Sequence, residues 1–280
     1  METVIEKEEN IIKKMNNKAT QKKSFKILGI SIWRLFAYFI IYSIIGFIVE
    51  TAFGIIRYGV IESRQSFLYG PFCAIYGVGA VIMIIFLQYF KKNYTTLFLG
   101  GCLVGSVTEY LVSLIGELIL HVKWWDYSEF PLNINGRICL LYAMFWGFLG
   151  LYLMISLNPK IDKLIDFIKI KIPTKILKII VIFSIIFMLL DCVLTGIAIN
   201  CFNVRIIKEN NIEVKHQEYI EKEYKRIYEN ETKARLINKF FNNEKMLIVF
   251  PRLTVQNING TIIFVKDLYP EIKTYYYKLN

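Results

Sequence analysis

The sequence predicts an all-α polytopic membrane protein of about five transmembrane helices, with a small C-terminal α or α+β appendage. Three observations carry this. Hydrophobic residues make up 55% of the 280 positions, above the roughly 45–50% of an ordinary soluble domain. Five apolar runs, about 32–56, 71–90, 96–120, 138–157 and 176–199, approach the roughly 20 helical residues that cross a hydrocarbon core of about 30 Å. Lysines gather in alternate connections, the pattern of short loops on the cytoplasmic side.

Taken in order, residues 1–30 hold seven Lys and four Glu and no compact apolar stretch ending in a small-residue cleavage site. They read as a basic cytoplasmic arm rather than a removable signal. Residues 31–157 form a core of four spans, helical because backbone polar groups inside lipid must be satisfied within the segment. Lys91 and Lys92 in the second connection and six Lys in 158–178 mark the same side as the arm. The loops 57–70 and 121–137 then fall on the outer side, giving a multi-pass cell-membrane protein with a cytoplasmic N-terminus.

In 158–175, Ile161, Leu164, Ile165 and Ile168 share one helical face, with Lys160, Lys163, Asp166 and Lys169 mostly on the other. That is the pattern of an amphipathic helix on the inner leaflet; a linker helix packed on the rest of the protein is the alternative. The fifth span occupies 176–199, and 200–280 is a polar tail or small domain. Five crossings place this tail outside, although 201–280 carries fourteen Lys and Arg against ten Asp and Glu. The stretch 211–243 contains no Gly or Pro and reads as one long helix. Two β-prone runs flank Asn259-Gly260, a hairpin signal.

Four acids fall within spans: Glu50, Glu109, Glu117 and Asp191. A charge at the centre of a span costs roughly 2.5–3.5 kcal/mol on insertion scales, so these helices should turn the acids inward. Gly101, Gly105, Glu109, Ser113 and Glu117 lie four apart and form one stripe, and small residues at that spacing admit a close neighbour. Gly46, Glu50 and Gly54 repeat the device in the first span. The two stripes are expected to face each other or a common polar cavity. His121, Arg137, Arg57 and Arg64 would stand at its mouth, and Arg137, Glu50, Glu109, Glu117 and Asp191 would form a substrate or ion path. Purely structural ion pairing is the alternative. Trp124 and Trp125 with Tyr127 read as interfacial anchors.

The segments "YSIIGFIVETAFG", "FLYGPFCAIYGVGA", "LGGCLVGSVTEYLVS" and "KWWDYSEFPLNINGRICL" resemble, in that order, the signature blocks of the ABC-transporter type IV membrane family, whose members are labelled ABC transporter permeases. "LLDCVLT" and "FFNNEKMLIVFPRL" are similar to its downstream region. The resemblance picks out Gly46, Glu50, Tyr69, Gly70, Pro71, Tyr76, Gly77, Glu109, Trp124, Trp125, Asp126, Tyr127, Asn135, Gly136 and Arg137, without assigning roles.

Three functions stay open. A permease subunit would need a separate ATP-binding subunit, since the chain has no G-x-x-x-x-G-K-[ST] loop; the 160–170 helix and the Lys91–Lys92 turn would be its coupling surface. A membrane enzyme acting on a lipid or envelope precursor would use Glu50 or Glu109 as acid or base and Arg137 to hold phosphate; no H-E-x-x-H or G-x-S-x-G motif supports it. A structural or regulatory component would assemble through its Gly-lined faces, with partners or further copies. No cofactor or metal is expected, since the cysteines form no C-x-x-C pair. The net charge of +11 is assigned to lysines facing anionic headgroups, not to nucleic acid.

Overall fold

The computed structural model describes residues 25–115, 117–118 and 125–278. The arm before residue 25, together with His121 and Trp124, lies outside the described residues. A short antiparallel pair, β1 (Lys26–Ile27) and β2 (Ile30–Ser31), leads into α1 (Ile32–Tyr58). After β3 (Val60–Ile61) and an irregular segment come α2 (Ala74–Leu87), α3 (Tyr94–Ile115) and α4 (Leu140–Tyr152). A π-helical turn, Leu153–Leu157, carries α4 without a break into α5 (Asn158–Lys171), and α6 (Thr174–Glu209) follows.

Four of these helical stretches are long and apolar enough to cross a membrane: Ile32–Tyr58, Tyr94–Ile115, Leu140–Lys171 and Thr174–Glu209. The second predicted span is different. Helix α2 has 14 residues and a 3-10 turn, Gln88–Phe90, carries it on to Phe90, about 27 Å in all, a little short of a core of about 30 Å. The irregular chain before it completes the depth: the Cys73 amide donates to the Ser43 carbonyl at 2.8 Å, in the middle of α1. Non-helical backbone at membrane depth is tolerated only where protein satisfies it, and here protein does.

The bundle is built by successive antiparallel neighbours. On the lysine-rich face, Leu35, Tyr38, Tyr42, Met83, Ile84, Leu87, Leu97, Leu153 and Met154 form one buried cluster with Ile161 and Ile165 of α5. Helix α5 therefore packs on α1. Arg34 bonds Asp162 at 2.7 Å, the Tyr38 hydroxyl donates to the same carboxylate, and the Tyr42 hydroxyl donates to Asn158 at 3.2 Å. Its outward side still exposes Lys160, Lys163, Leu164, Phe167 and Ile170.

Helix α6 runs ten residues past the predicted end of the fifth span, and its last turns become the rod of a second core. Phe202, Val204, Ile206 and Ile207 pack there with Met246, Leu247, Val255 and Val265. Around them sit α7 (Gln217–Tyr228), α8 (Glu231–Phe240), α9 (Asn243–Val249) and the antiparallel pair β4 (Thr254–Gln256) and β5 (Ile262–Phe264). The hairpin at Asn259-Gly260 forms, with Gly260 at φ +83°. The single long helix expected over 211–243 does not. Asn230 and Asn242 each accept from the amide three residues on, Lys233 and Lys245, and so start new helices. An Asn side chain that caps a free amide is worth more at a helix start than in a helix interior.

The C-terminal unit is clasped to the loop after α1. Strand β6 (Tyr277–Lys278) pairs with β3, Val60 opposite Lys278 and Ile61 opposite Tyr277. Buried Glu62 accepts from Arg252 at 2.7 Å and pairs with Arg64 at 2.8 Å, while the Arg252 guanidinium lies 3.7 Å from the Tyr58 ring centre. The tail thus shares a face with the 57–70 loop, opposite Lys91, Lys92 and α5.

Candidate functional site

The motif-rich segment 125–139 folds back over the end of α3. Asn135 and Gly136 take left-handed backbone, at φ +54° and +64°, a pair of conformations that Asn and Gly adopt at least cost. This tight turn brings the Gly136 carbonyl to the Tyr127 amide at 2.8 Å, and the Trp125 indole N–H donates to the Arg137 carbonyl at 2.9 Å. Asp126 accepts from the Ser128 amide at 3.0 Å and from its hydroxyl at 2.6 Å. The loop is a hydrogen-bonded knot, and Trp125 is one of its ties.

From this knot Tyr127 reaches the α3 stripe. Its hydroxyl donates to Glu109 Oε1 at 2.9 Å, and the Trp146 indole N–H of α4 donates to Glu109 Oε2 at 2.9 Å. The Tyr127 ring stacks on Tyr142 with centroids 4.4 Å apart. Burial first, and the Glu109 carboxylate second, hold the Tyr127 hydroxyl above the usual tyrosine range, so it remains a donor. One turn on, Arg137 bonds Ser113 at 3.1 Å and pairs with Glu117 at 2.6 Å. Its guanidinium lies over the Tyr110 ring, whose hydroxyl accepts from Asn135 at 2.9 Å. Glu109, Ser113 and Glu117 are therefore three successive contacts of one docked loop.

Glycines make room for the partner of this stripe. A Cβ on Gly105 would stand 2.4 Å from Trp146 Cβ, and one on Gly101 would stand 3.0 Å from the Gly147 backbone. The stripe of α1 serves a different neighbour. A Cβ on Gly46 would meet Tyr76 of α2 at 2.4 Å, and one on Gly54 would meet Arg64 at 2.9 Å. Glu50 accepts from the Tyr76 hydroxyl at 2.7 Å. The expected meeting of the two stripes is corrected accordingly: α1 packs through its stripe on α2 and the irregular segment, α3 on α4. Four-residue spacing identifies a close-packing face without saying which helix fills it.

Asp191 has a third setting. It is 3% exposed; Oδ2 accepts from the Tyr69 amide at 3.0 Å, and neighbouring Thr195 accepts from the Leu68 amide at 2.9 Å. These two side chains of α6 satisfy the backbone of the irregular segment beside α2. The role of Thr195 was missed by sequence reasoning; its position four residues after Asp191 was the available signal. The four acids thus occupy three separate hydrogen-bonded sites, Glu109 and Glu117 both being contacted by the one docked loop. Arg57 lies exposed beside Phe53 and Tyr58, and Arg64 turns to Glu62, so neither joins Arg137.

Residues 37–196 match the family model described as "Putative ABC-transporter type IV". The chain belongs to that family. The match starts inside α1 and ends inside α6, so it takes in every helix of the bundle, the docked loop, and Asp191 with Thr195. Neither the curated proteins nor the solved structures give a match. The C-terminal clasp lies beyond the matched residues, while its docking partners, Val60 to Arg64, lie within them.

Proposed function

We propose that the chain is the membrane permease subunit of an ABC-type transporter, working with a separate ATP-binding subunit. The observation that carries this reading is the family match across the whole bundle, in a chain whose own sequence lacks a phosphate-binding loop. The lysine-rich face, with Lys91, Lys92 and the outward side of α5, is the cytoplasmic coupling surface. Between the α2–α3 turn and the π-turn after α4 lies a groove of about 440 Å³ lined by Lys91, Tyr94, Leu97 and Met154. It opens where a cytoplasmic partner would engage, next to a helix irregularity of the kind often found at functional sites. In this reading the docked loop is the outer closure, and the Tyr127–Glu109 bond is its latch.

A second reading, a structural or regulatory membrane component, is favoured by one observation: Glu50, Glu109, Glu117 and Asp191 are each bonded to another group of the chain. The lipid-enzyme reading has less support, because Arg137 is committed to Glu117 and Ser113 and stands apart from Glu50. Purification of the tagged full chain from its own membranes in mild detergent, with mass spectrometry of co-purifying proteins, separates the first two. A stoichiometric subunit bearing a phosphate-binding loop supports the permease; repeated recovery of the chain without one under cross-linking contradicts it.

A further inference from the structure

The C-terminal unit meets the membrane at a built cleft. On α6, Ile179, Phe183, Ile186, Leu190, Val193 and Ile197 are exposed at alternating three- and four-residue steps, one line along a helix whose apolar surface is exposed on most sides. The stripe stops at Ile197; from Cys201 onward the helix is buried in the C-terminal core. Asn200 therefore marks the level where the exposed apolar surface of α6 ends.

At that level a cleft of about 240 Å³ opens between α6, α7 and α8, lined by Ile197, Asn200, Arg226, Ile227, Lys233 and Ile237. Its floor is apolar and continues the α6 stripe, and its rim carries two cations. Arg226 is bonded to Glu223, and Lys233 forms no ion pair among the described residues. Helix α8 buries no residue in the protein, yet it is firmly attached: Arg205 donates to Asn238 at 2.9 Å and to the Phe241 carbonyl at 2.7 Å. Lys233, Leu236, Ile237 and Phe240 share one of its faces, and Leu236 and Phe240 are exposed. Because Ile237 on that face lines the cleft beside Ile197, the face continues the lipid-facing surface of α6. An amphipathic helix hydrogen-bonded to α6, with a cation beside an apolar face, is the pattern of an interfacial helix that binds anionic lipid.

We infer that this cleft binds one anionic phospholipid, with its phosphate between Lys233 and Arg226 and an acyl chain along Ile197 and Val193. The site belongs to the membrane-embedded chain whatever it transports, so it stands apart from the permease reading. The occupant is a lipid rather than a free anion because the cation pair sits over an apolar floor that continues into the bilayer.

Native mass spectrometry of the detergent-purified full chain, titrated with phosphatidylglycerol or with phosphatidylcholine of the same acyl chains, tests it. Removing a cation near a lipid surface weakens headgroup binding roughly fivefold. Lys233→Gln should therefore hold phosphatidylglycerol about fivefold more weakly, and Arg226→Gln with Lys233→Gln about thirtyfold. Exposed Lys222→Gln, outside the cleft, should match the unmodified chain. Lys233 is exposed and forms no ion pair among the described residues, so its single variant reports on binding even if the double variant unfolds. Equal phosphatidylglycerol retention by Lys233→Gln and the unmodified chain would overturn the site. Equal affinity for phosphatidylcholine, or displacement of the lipid by millimolar inorganic phosphate, would also overturn it.

Discussion

The Tyr127 hydroxyl, on a loop, and the Trp146 indole, on α4, donate to opposite oxygens of Glu109, each at 2.9 Å. One carboxylate thus fixes the loop, α3 and α4 to one another. The geometry distinguishes the charge of Glu109 from its shape. In Glu109→Gln the amide oxygen can still accept from Trp146, and the amide NH₂ can donate to Tyr127, whose hydroxyl reverses its role. Thermal unfolding in detergent should move little for Glu109→Gln, while Glu109→Ala, leaving two donors without an acceptor, should lose about 2–4 kcal/mol. Tyr127→Phe should lose about 1 kcal/mol and speed proteolysis in the loop. A Gln variant as unstable as the Ala variant would show that the charge itself holds the site.

Asp191 and Thr195 make a second prediction. With Asp191→Ala the Tyr69 amide, and with Thr195→Val the Leu68 amide, loses its acceptor in a part-buried hydrogen bond, a penalty of about 1 kcal/mol. Hydrogen–deuterium exchange should accelerate over residues 66–73 in both variants and stay near the unmodified rate in Asp191→Asn, which keeps an acceptor oxygen. Unchanged exchange in Asp191→Ala would contradict this role.

The glycines give a paired test. Gly105→Ala drives a methyl against Trp146 and should destabilise by about 1–3 kcal/mol, the usual cost of overpacking. Gly196, also helical, has nothing within 4 Å of a built Cβ. Gly196→Ala should be neutral or stabilising by up to about 1 kcal/mol, from helix propensity. Equal melting shifts for the two would refute the close-approach account of Gly105.

Glu62 holds the clasp. It is 4% exposed and bonds both Arg64 and Arg252, so Glu62→Ala strands two cations at a half-buried site. Limited proteolysis should then cut the chain beyond α6 much faster, releasing the C-terminal unit while the bundle stays intact. Arg252→Met, which removes a cation and leaves Glu62 paired with Arg64, should show a smaller effect.

The bundle was legible in the sequence because apolar run length and lysine placement are direct consequences of the bilayer. The close-packing faces were legible too, from four-residue spacing of Gly and Glu. Which faces meet was not, since Gly46 approaches Tyr76 and Gly105 approaches Trp146 through contacts that no spacing within one helix encodes. The start of α2 at Ala74 rather than at Pro71 was not read, although Gly70-Pro71 is a turn signal, because the backbone before it is held by Asp191 and Thr195, over a hundred residues away. Asn230 and Asn242 were read as helix residues although each is a capping type; without Gly or Pro nearby, the break was overlooked. The continuation of α6 into the C-terminal core follows from Phe202, Val204, Ile206 and Ile207, an apolar run beyond the span that read as the start of a polar tail.

The permease reading makes its sharpest claim about where the ATP-binding partner sits. A photo-crosslinking residue placed singly at Lys92, at Lys163 and, on the opposite face, at Arg235, followed by mass spectrometry of adducts from native membranes, measures this directly. The account predicts adducts with one protein bearing a phosphate-binding loop from Lys92 and Lys163, and none from Arg235. Absence of such a protein from both lysine positions, with the chain at normal level and correctly inserted, would contradict it.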